Sequence, residues 1–120
     1  MRVSGFVLGS PTPRALAEFY RELLGWTLGA DEPTWVTIRD PGGGTGLSFQ
    51  LEEVYDRPVW PSRHDAQQMM AHLDIEVEDL DAAGAFAEQL GATLAEFQPQ
   101  DDVRVYLDPD GHPFCFWIPT

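Results

Sequence analysis

Residues 72–92, HLDIEVEDLDAAGAFAEQLGA, change from a strand pattern to a helix pattern within one short stretch. In the first part, apolar and polar residues alternate, as they do in a half-buried β-strand. Further on, the apolar positions are spaced as on one face of a helix. Asp79 is placed to cap the start of this helix, and Gly91 is placed to end it. The stretch therefore predicts a strand at 71–77 and a helix at 80–90.

Residues 12–24, TPRALAEFYRELL, show the same helical spacing of apolar positions earlier in the chain. Thr12 is placed to cap this helix, Pro13 suits its first turn, and Gly25 suits its end. A strand-like run at residues 3–9 precedes it. The strand–helix unit therefore occurs twice.

Each helix is followed by three further strand candidates, and an Asp-Pro turn joins the last two of each set. The six strands are predicted at residues 26–29, 34–39, 47–51, 92–97, 103–107 and 113–118. Gly25 lies 15 residues before the turn residue Asp40, and Gly91 lies 17 residues before Asp108. The order β-α-β-β-β is thus repeated with an offset of about 67 residues.

The repeat predicts an α+β fold in one domain, residues 1–120, that is made of two tandem β-α-β-β-β modules. Module one covers residues 1–52 and module two covers 71–120. Residues 53–70 contain two prolines and little periodicity, so we interpret them as a connector. A chain of 120 residues suits one domain, and 43% hydrophobic residues are enough to form its core.

Composition excludes several classes of function. The net charge is −13 and all seven basic residues are arginine, so a nucleic-acid backbone would be repelled. The acidity either keeps the protein soluble or attracts a cationic ligand. No run of about 18 apolar residues or signal peptide is recognisable, which predicts no membrane span. The single Cys115 fits a reducing compartment, so we expect a cytoplasmic protein.

Alternation along the strands separates a helix-covered face of the sheet from an opposite face. The apolar sets, such as Leu73, Ile75 and Val77, are expected beneath the helices, and Val103, Val105 and Leu107 with them. The opposite face then carries polar and aromatic side chains, which we predict to bind a small-molecule ligand. The predicted ligand-binding residues are Trp35, Thr37, Ser48, Gln50, His72, Tyr106, Cys115 and Trp117. A solvated sheet face or a dimer contact is the alternative.

Three stretches of this chain resemble the vicinal-oxygen-chelate superfamily, which includes glyoxalase I, bleomycin-resistance proteins, fosfomycin-resistance enzymes and extradiol dioxygenases. The stretches are PRALAEFYRELLGW, HLDIEVEDLDAAGAFAEQLGA and DPDGHPFCFW. In particular, the chain resembles the small stand-alone glyoxalase-like proteins of that group. The resemblance implies that the paired modules form one curved, open sheet around a cavity. It also implies a homodimer.

The resemblance implies that metal ligands, where present, come from the first and last strands of each module. The matching positions are Gly5, Gln50, His72 and Cys115. Gly5 has no side chain to offer, Gln50 is a weak ligand, and the soft Cys115 suits zinc better than a hard cation. We therefore expect no metal cofactor, with a divalent metal on Gln50, His72 and Cys115 as the alternative. Asp74 or Glu76 would be a substitute carboxylate, but alternation places both farther along the strand.

The remaining candidate residues are predicted to have structural rather than functional roles. His64 and His112 fall in the connector and in a turn, which predicts surface positions. Cys115 is expected to be a small packing residue rather than a nucleophile. The triple glycine at 42–44 precedes a strand and no lysine follows it, so it is a turn and not a phosphate-binding loop.

Three functions remain open. The first is a metal-free binding protein that sequesters a cationic or aromatic compound, as bleomycin-resistance proteins do. It is favoured by the acidity and by the aromatic residues Trp35, Trp60, Tyr106 and Trp117. The second is a lyase or isomerase of the glyoxalase type, with His72 as acid–base group or ligand and Gln50 orienting the substrate. The third is an interaction or regulatory module.

Overall fold

The computed structural model describes residues 1–119 and confirms the repeated β-α-β-β-β order. Module one contains β1 (Gly5–Ser10), α1 (Pro13–Leu24), β2 (Thr27–Glu32), β3 (Trp35–Arg39) and β4 (Gly46–Leu51). Module two contains β5 (Leu73–Glu76), α2 (Leu80–Leu90), β6 (Thr93–Leu94), β7 (Val103–Leu107) and β8 (Pro113–Trp117). The chain divides into two compact units, Met1–Tyr55 and the part from Asp56 onward. The fold is α+β with two tandem modules.

Each module forms a four-stranded mixed sheet of the same topology. The strand orders are β1-β4-β3-β2 and β5-β8-β7-β6. In each module the first strand pairs parallel with the last, and the other pairs are antiparallel. The helix and the two strands that follow it form the long connection that this parallel pair requires. This topology places residues from the start and the end of a module side by side.

The first helix begins and ends close to its predicted limits, but its start is held differently from the prediction. Thr12 makes no side-chain cap, and its backbone N–H instead donates to Ser10 Oγ at 2.9 Å. Pro13 occupies the first turn, where no backbone donor is needed. At the other end, Gly25 adopts a left-handed conformation with φ of 69°, and its N–H donates to the Arg21 carbonyl.

The second helix is capped as predicted. The Asp79 side chain accepts a hydrogen bond from the Ala82 N–H at 3.0 Å, and Gly91 ends the helix with φ of 116°. Gly84 lies inside this helix, where a neighbouring side chain leaves no room for a Cβ atom. A Cβ atom at Gly84 would lie 2.1 Å from the Tyr106 hydroxyl oxygen. The absence of a side chain therefore lets α2 lie directly on the Tyr106 ring.

The core of each module is aromatic. In module one, the Tyr20 and Phe49 rings stack with centroids 5.8 Å apart. In module two, the Tyr106, Phe114 and Phe116 rings lie within 6.1 Å of one another, and all three are buried. Burial of such large rings supplies much of the apolar stabilisation of a small module.

The two Asp-Pro turns repeat each other in their hydrogen bonds. The Gly43 N–H donates to the Asp40 carbonyl at 3.0 Å, as the Gly111 N–H does to the Asp108 carbonyl at 2.9 Å. The second turn adds His112, whose Nδ1 lies 2.8 Å from an Asp108 carboxylate oxygen. The prediction of a surface position for His112 is wrong, because its side chain is only 14% exposed and the Asp108 side chain is fully buried.

The strand predicted at 92–97 is shortened to two residues because a side chain replaces the rest of it. Gln98 Nε2 donates to the Ala95 carbonyl at 2.8 Å and to the Val105 carbonyl at 2.9 Å. Gln98 Oε1 accepts from the Val105 N–H at 2.9 Å. The amide of Gln98 thus satisfies the backbone of β7 where β6 has ended.

Candidate functional site

The strand register confirms the predicted faces of β5 and β8. Leu73 pairs with Phe114 and Ile75 with Phe116, and these four side chains share the helix side of the sheet. The opposite side is defined by two other pairs, Asp74 with Cys115 and Glu76 with Trp117. His72, at the entrance of β5, has Nε2 only 3.1 Å from an Asp74 carboxylate oxygen.

The predicted faces of β7 are wrong. Tyr106 pairs with Phe114 on the helix side, where it is 6% exposed and packs against Gly84. Val105 pairs with Cys115 on the opposite side and is also buried. Both alternating sets of β7 contain side chains suited to burial, so polarity alone does not identify the helix-covered set. Burial, together with the negative charge of Glu88, raises the pKa of Tyr106.

Two adjoining cavities open on the side of the sheet that carries Cys115, and we call them together the module-two cavity. They share His72, Gln100, Val103 and Cys115. The larger, of about 340 Å³, is also lined by Asp74, Asp102, Trp117 and Ile118. The smaller, of about 120 Å³, is also lined by Trp60, Met69, Pro99, Val105 and Pro113. One part of the module-two cavity is thus acidic and the other is apolar.

The apolar part of the cavity depends on residues outside the strands. Trp60 is fixed by its indole N–H, which donates to the Phe97 carbonyl at 3.0 Å, and its ring lies 6.0 Å from the Phe97 ring. Met69 comes from the same connecting segment. Sequence reasoning missed Met69, Gln100 and Asp102, because their segments show no periodicity that would relate them to the sheet.

Three donor groups converge at the acidic end of the cavity. The nearest side-chain donor atoms of His72, Asp74 and Cys115 all lie within 4.8 Å of one another. Cys115 is partly buried, and this burial, together with the Asp74 charge, raises its pKa to about 11. The thiol is therefore protonated near neutral pH. The parallel pairing of β5 with β8 brings Asp74 closer to Cys115 than alternation along one strand suggested.

In module one, the predicted ligand-binding residues lie on one face of their sheet. Trp35 pairs with Gln50 and Thr37 with Ser48, opposite the buried Val36, Ile38 and Phe49. Gln50 is exposed, and its side-chain nitrogen donates to a Glu52 carboxylate oxygen at 3.0 Å. The grouping of these four residues with His72, Cys115 and Trp117 in one pocket stays a prediction.

The residues at the superfamily's metal-binding positions do not fit a metal centre of that kind. Gly5 lies in β1 beside Gly46 and contributes no donor atom. Gln50 contributes only a neutral amide that is already engaged with Glu52. In module two, Cys115 would have to lose a proton that its raised pKa retains. We therefore assign no reaction step to a metal.

Comparison with known proteins identifies the class. The chain belongs to the glyoxalase-like family, since the model of the glyoxalase-like domain matches residues 5–117, and this places it in the vicinal-oxygen-chelate superfamily. A glyoxalase/bleomycin resistance protein/dioxygenase family enzyme from Burkholderia phytofirmans PsJN has a similar structure. Its TM-score is 0.75 at 18% identity, with 98% of each chain covered. A glyoxalase-related enzyme from Fulvimarina pelagi has a TM-score of 0.72 at 20% identity, covering 99% of this chain and 88% of that one.

Among curated proteins, the chain is similar to anthracycline biosynthesis protein DauV of Streptomyces sp. strain C5. The two are 30% identical over 132 aligned positions, which cover 93% of this chain. Anthracycline biosynthesis protein DnrV of Streptomyces peucetius matches equally well. This chain spans 45% of the length of each of these relatives, so the similarity supports the family and assigns no ligand. Within residues 1–119, neither helix is long and apolar enough to cross a membrane.

Proposed function

We propose that this protein binds and sequesters a small cationic compound with an aromatic body, without transforming it. The observation that carries the proposal is the composition of the module-two cavity. Its acidic part contains Asp74 and Asp102 beside Trp117, and no arginine lines either part.

The charges of the cavity favour a cation. Asp74 and Asp102 attract an ammonium group, and the net charge of −13 adds a long-range attraction of the same sign. The face of Trp117 contributes a cation–π contact of roughly 0.5–2 kcal/mol. These terms distinguish a cation from a neutral molecule of the same shape.

The apolar part of the cavity favours a flat hydrophobic body on the same ligand. Trp60, Met69 and Val105 line it, next to the acidic part. The two parts, of about 340 and 120 Å³, have the size of a site for a small organic molecule. A molecule with an aromatic ring at one end and an amine at the other would match both.

A fluorescence titration tests this function. We would titrate the protein with a planar acridinium dye and with a neutral anthracene of similar shape, and follow tryptophan emission. The acridinium should bind more tightly, by about tenfold for each carboxylate it contacts. Asp74→Asn and Asp102→Asn should weaken binding of the cation and leave that of the neutral compound unchanged. Equal affinities for the two probes in the natural protein would contradict the proposal.

Matched tryptophan variants locate the ligand. Trp117→Phe should remove part of the fluorescence response, since Trp60 also lines the cavity, and should weaken binding by up to about 2–4 kcal/mol if Trp117 is a hot spot. Trp26 lines neither part of the module-two cavity, so Trp26→Phe should leave affinity unchanged. A response that persists in Trp117→Phe and is lost in Trp26→Phe would place the ligand elsewhere.

A second candidate function is a lyase or isomerase of the glyoxalase type. The observation in its favour is the cluster of His72, Asp74 and Cys115, in which Asp74 orients the imidazole as an acid–base group or metal ligand. We expect purified protein to carry no stoichiometric transition metal. Elemental analysis that finds about one Zn, Ni, Fe or Mn per chain, lost on His72→Ala, would favour this enzyme over the binding protein.

We further propose that the protein is a cytoplasmic homodimer. The single cysteine, Cys115, supports a reducing compartment. Membership of the glyoxalase-like family and the edge strands of each four-stranded sheet support the dimer.

A further inference from the structure

Module one has a cavity of its own, of about 470 Å³, beside the turn that joins β3 to β4. Its lining differs in charge from that of the module-two cavity. Two arginines, Arg2 and Arg39, contribute to it, together with the hydroxyl residues Thr37 and Ser48. Asp40 is the one acidic residue in the lining. We call it the arginine cavity.

The two arginines of this cavity are unusual within the chain. Seven basic residues face twenty acidic ones, so partners for arginine are abundant. The other five arginines use a carboxylate or a backbone carbonyl: Arg14 with Asp31, Arg21 with Glu18, Arg63 with Asp65, Arg57 with the Pro109 carbonyl, and Arg104 with the Asp101 carbonyl. Within residues 1–119, the side chains of Arg2 and Arg39 make neither a hydrogen bond nor an ion pair. Both unpaired guanidinium groups therefore belong to the same cavity.

Two hydroxyl groups lie with these arginines in the lining of the cavity. Thr37 and Ser48 are cross-strand partners on the face opposite the helix. Thr37 Oγ1 accepts a hydrogen bond from the Ala30 N–H at 2.8 Å, which leaves its own proton available to a ligand. Ser48 is 8% exposed and also lines the cavity.

We propose that the arginine cavity binds the oxyanion of a small molecule, a carboxylate or a phosphate. A guanidinium group donates two parallel hydrogen bonds to either anion, and hydroxyl donors complete the coordination. Asp40 opposes an anion, but one of its carboxylate oxygens is engaged by the Gly42 N–H at 2.8 Å. This site is independent of the function proposed for module two, because it lies in the other compact unit and selects the opposite charge.

The expected affinity is modest. The net charge of −13 repels an anion at long range, so binding depends on the local contacts. Arg2 and Arg39 are exposed, and water screens their attraction. A small probe with one oxyanion should therefore bind with a dissociation constant on the order of 1 mM.

Titration of ¹⁵N-labelled protein, followed by NMR, tests the proposal in two arms. One arm uses inorganic phosphate and the other uses succinate, each against sodium chloride at equal ionic strength. We expect saturable shifts of the amides from Gly43 to Ser48 in at least one arm, and the arm that saturates identifies the anion class. Shifts that fail to saturate in both arms, or that chloride reproduces, would overturn the proposal.

Two exposed arginines give a matched pair of variants for this experiment. Arg39→Gln should weaken binding of the probe about tenfold, since it removes charged hydrogen bonds. Arg63→Gln removes the same charge outside the arginine cavity and should leave the affinity unchanged. Each variant should keep the natural amide spectrum elsewhere, which verifies its fold. An equal loss of affinity in both variants would show a general charge effect and overturn the proposal.

Discussion

Cys115 lies between Asp74 on β5 and Val105 on β7, in surroundings that disfavour its thiolate. Burial is the larger effect and raises the pKa from 9.0 to about 11, with a further contribution from the Asp74 charge. Because the thiolate is the nucleophile, Cys115 should be unreactive at any pH well below 11.

The reactivity of Cys115 can be measured by alkylation with iodoacetamide, followed by mass spectrometry as a function of pH. The rate should rise through a midpoint of about 11 in the folded protein and at the ordinary thiol pKa in denaturant. Asp74→Asn should lower the folded midpoint in part, because the burial remains. A folded midpoint at or below that of the denatured chain would contradict the assignment of Cys115 to a buried, acidic surrounding.

Substitution of His72 should affect ligand binding but not folding. Its side chain is 38% exposed, and its Nε2 lies 3.1 Å from an Asp74 carboxylate oxygen. We expect His72→Ala to weaken binding of the acridinium probe by several-fold while the melting temperature stays within about 2 °C of the natural value. His64→Ala, an exposed histidine that lines neither part of the module-two cavity, should change neither quantity. A large loss of stability in His72→Ala would indicate a structural role.

Among the helices and strands, α2 contains Gly84, and packing decides whether its replacement by Ala stabilises or destabilises the protein. Helix propensity alone favours Ala at this position by about 1 kcal/mol. A Cβ atom there would meet the Tyr106 hydroxyl oxygen at 2.1 Å and its ring carbon at 2.9 Å. We expect Gly84→Ala to destabilise the protein by roughly 1–3 kcal/mol, because overpacking outweighs propensity.

Denaturant unfolding of a double-mutant cycle checks this packing. Tyr106→Phe removes the hydroxyl group that the new methyl would meet, so it should recover part of the loss in the Gly84→Ala background. The recovery should be incomplete because the ring carbon stays close. Additive effects of the two substitutions, or a stabilising Gly84→Ala, would show that α2 and β7 do not pack as described.

The elements differ in how far the sequence predicts them. Both helices were predicted within a residue of their limits, because Pro13, Asp79 and the terminal glycines are local signals that act within one turn. The end of β6 was missed because it depends on Gln98, whose bonds to Val105 join residues from different segments. Local signals therefore fix both ends of each helix, whereas a contact between different segments fixes the end of β6.

The candidate site was predicted in part for the same reason. The faces of β5 and β8 follow from clean alternation, so His72, Cys115 and Trp117 were correctly placed opposite the helix. Tyr106 was misplaced because the helix covers the side of β7 that carries Arg104 and Tyr106, and not the apolar side that carries Val103 and Val105. Val103 and Val105, on the apolar side, line the smaller cavity together with Trp60. Trp60 belongs to a segment without periodicity, so the sequence did not predict that this segment would lie over the sheet.

For the whole molecule, we expect two chains in solution. Each sheet ends in edge strands, β1 and β2 in one module and β5 and β6 in the other, and an edge favours a partner. Light scattering coupled to size exclusion should give twice the chain mass of 13.4 kDa at micromolar concentration. A mass of one chain over that range would contradict the dimer.

The Gln98 side chain bonds to β7 where β6 has ended, and this contact bears on aggregation. Without this amide, the Val105 N–H would be left free to pair with a strand of another molecule, while the Val105 carbonyl would still accept from the Ala95 N–H at 3.1 Å. The residues around them, VRVYL, are rich in β-branched and aromatic side chains, the composition that supports cross-β growth. We therefore expect Gln98 to limit strand pairing between molecules at this segment.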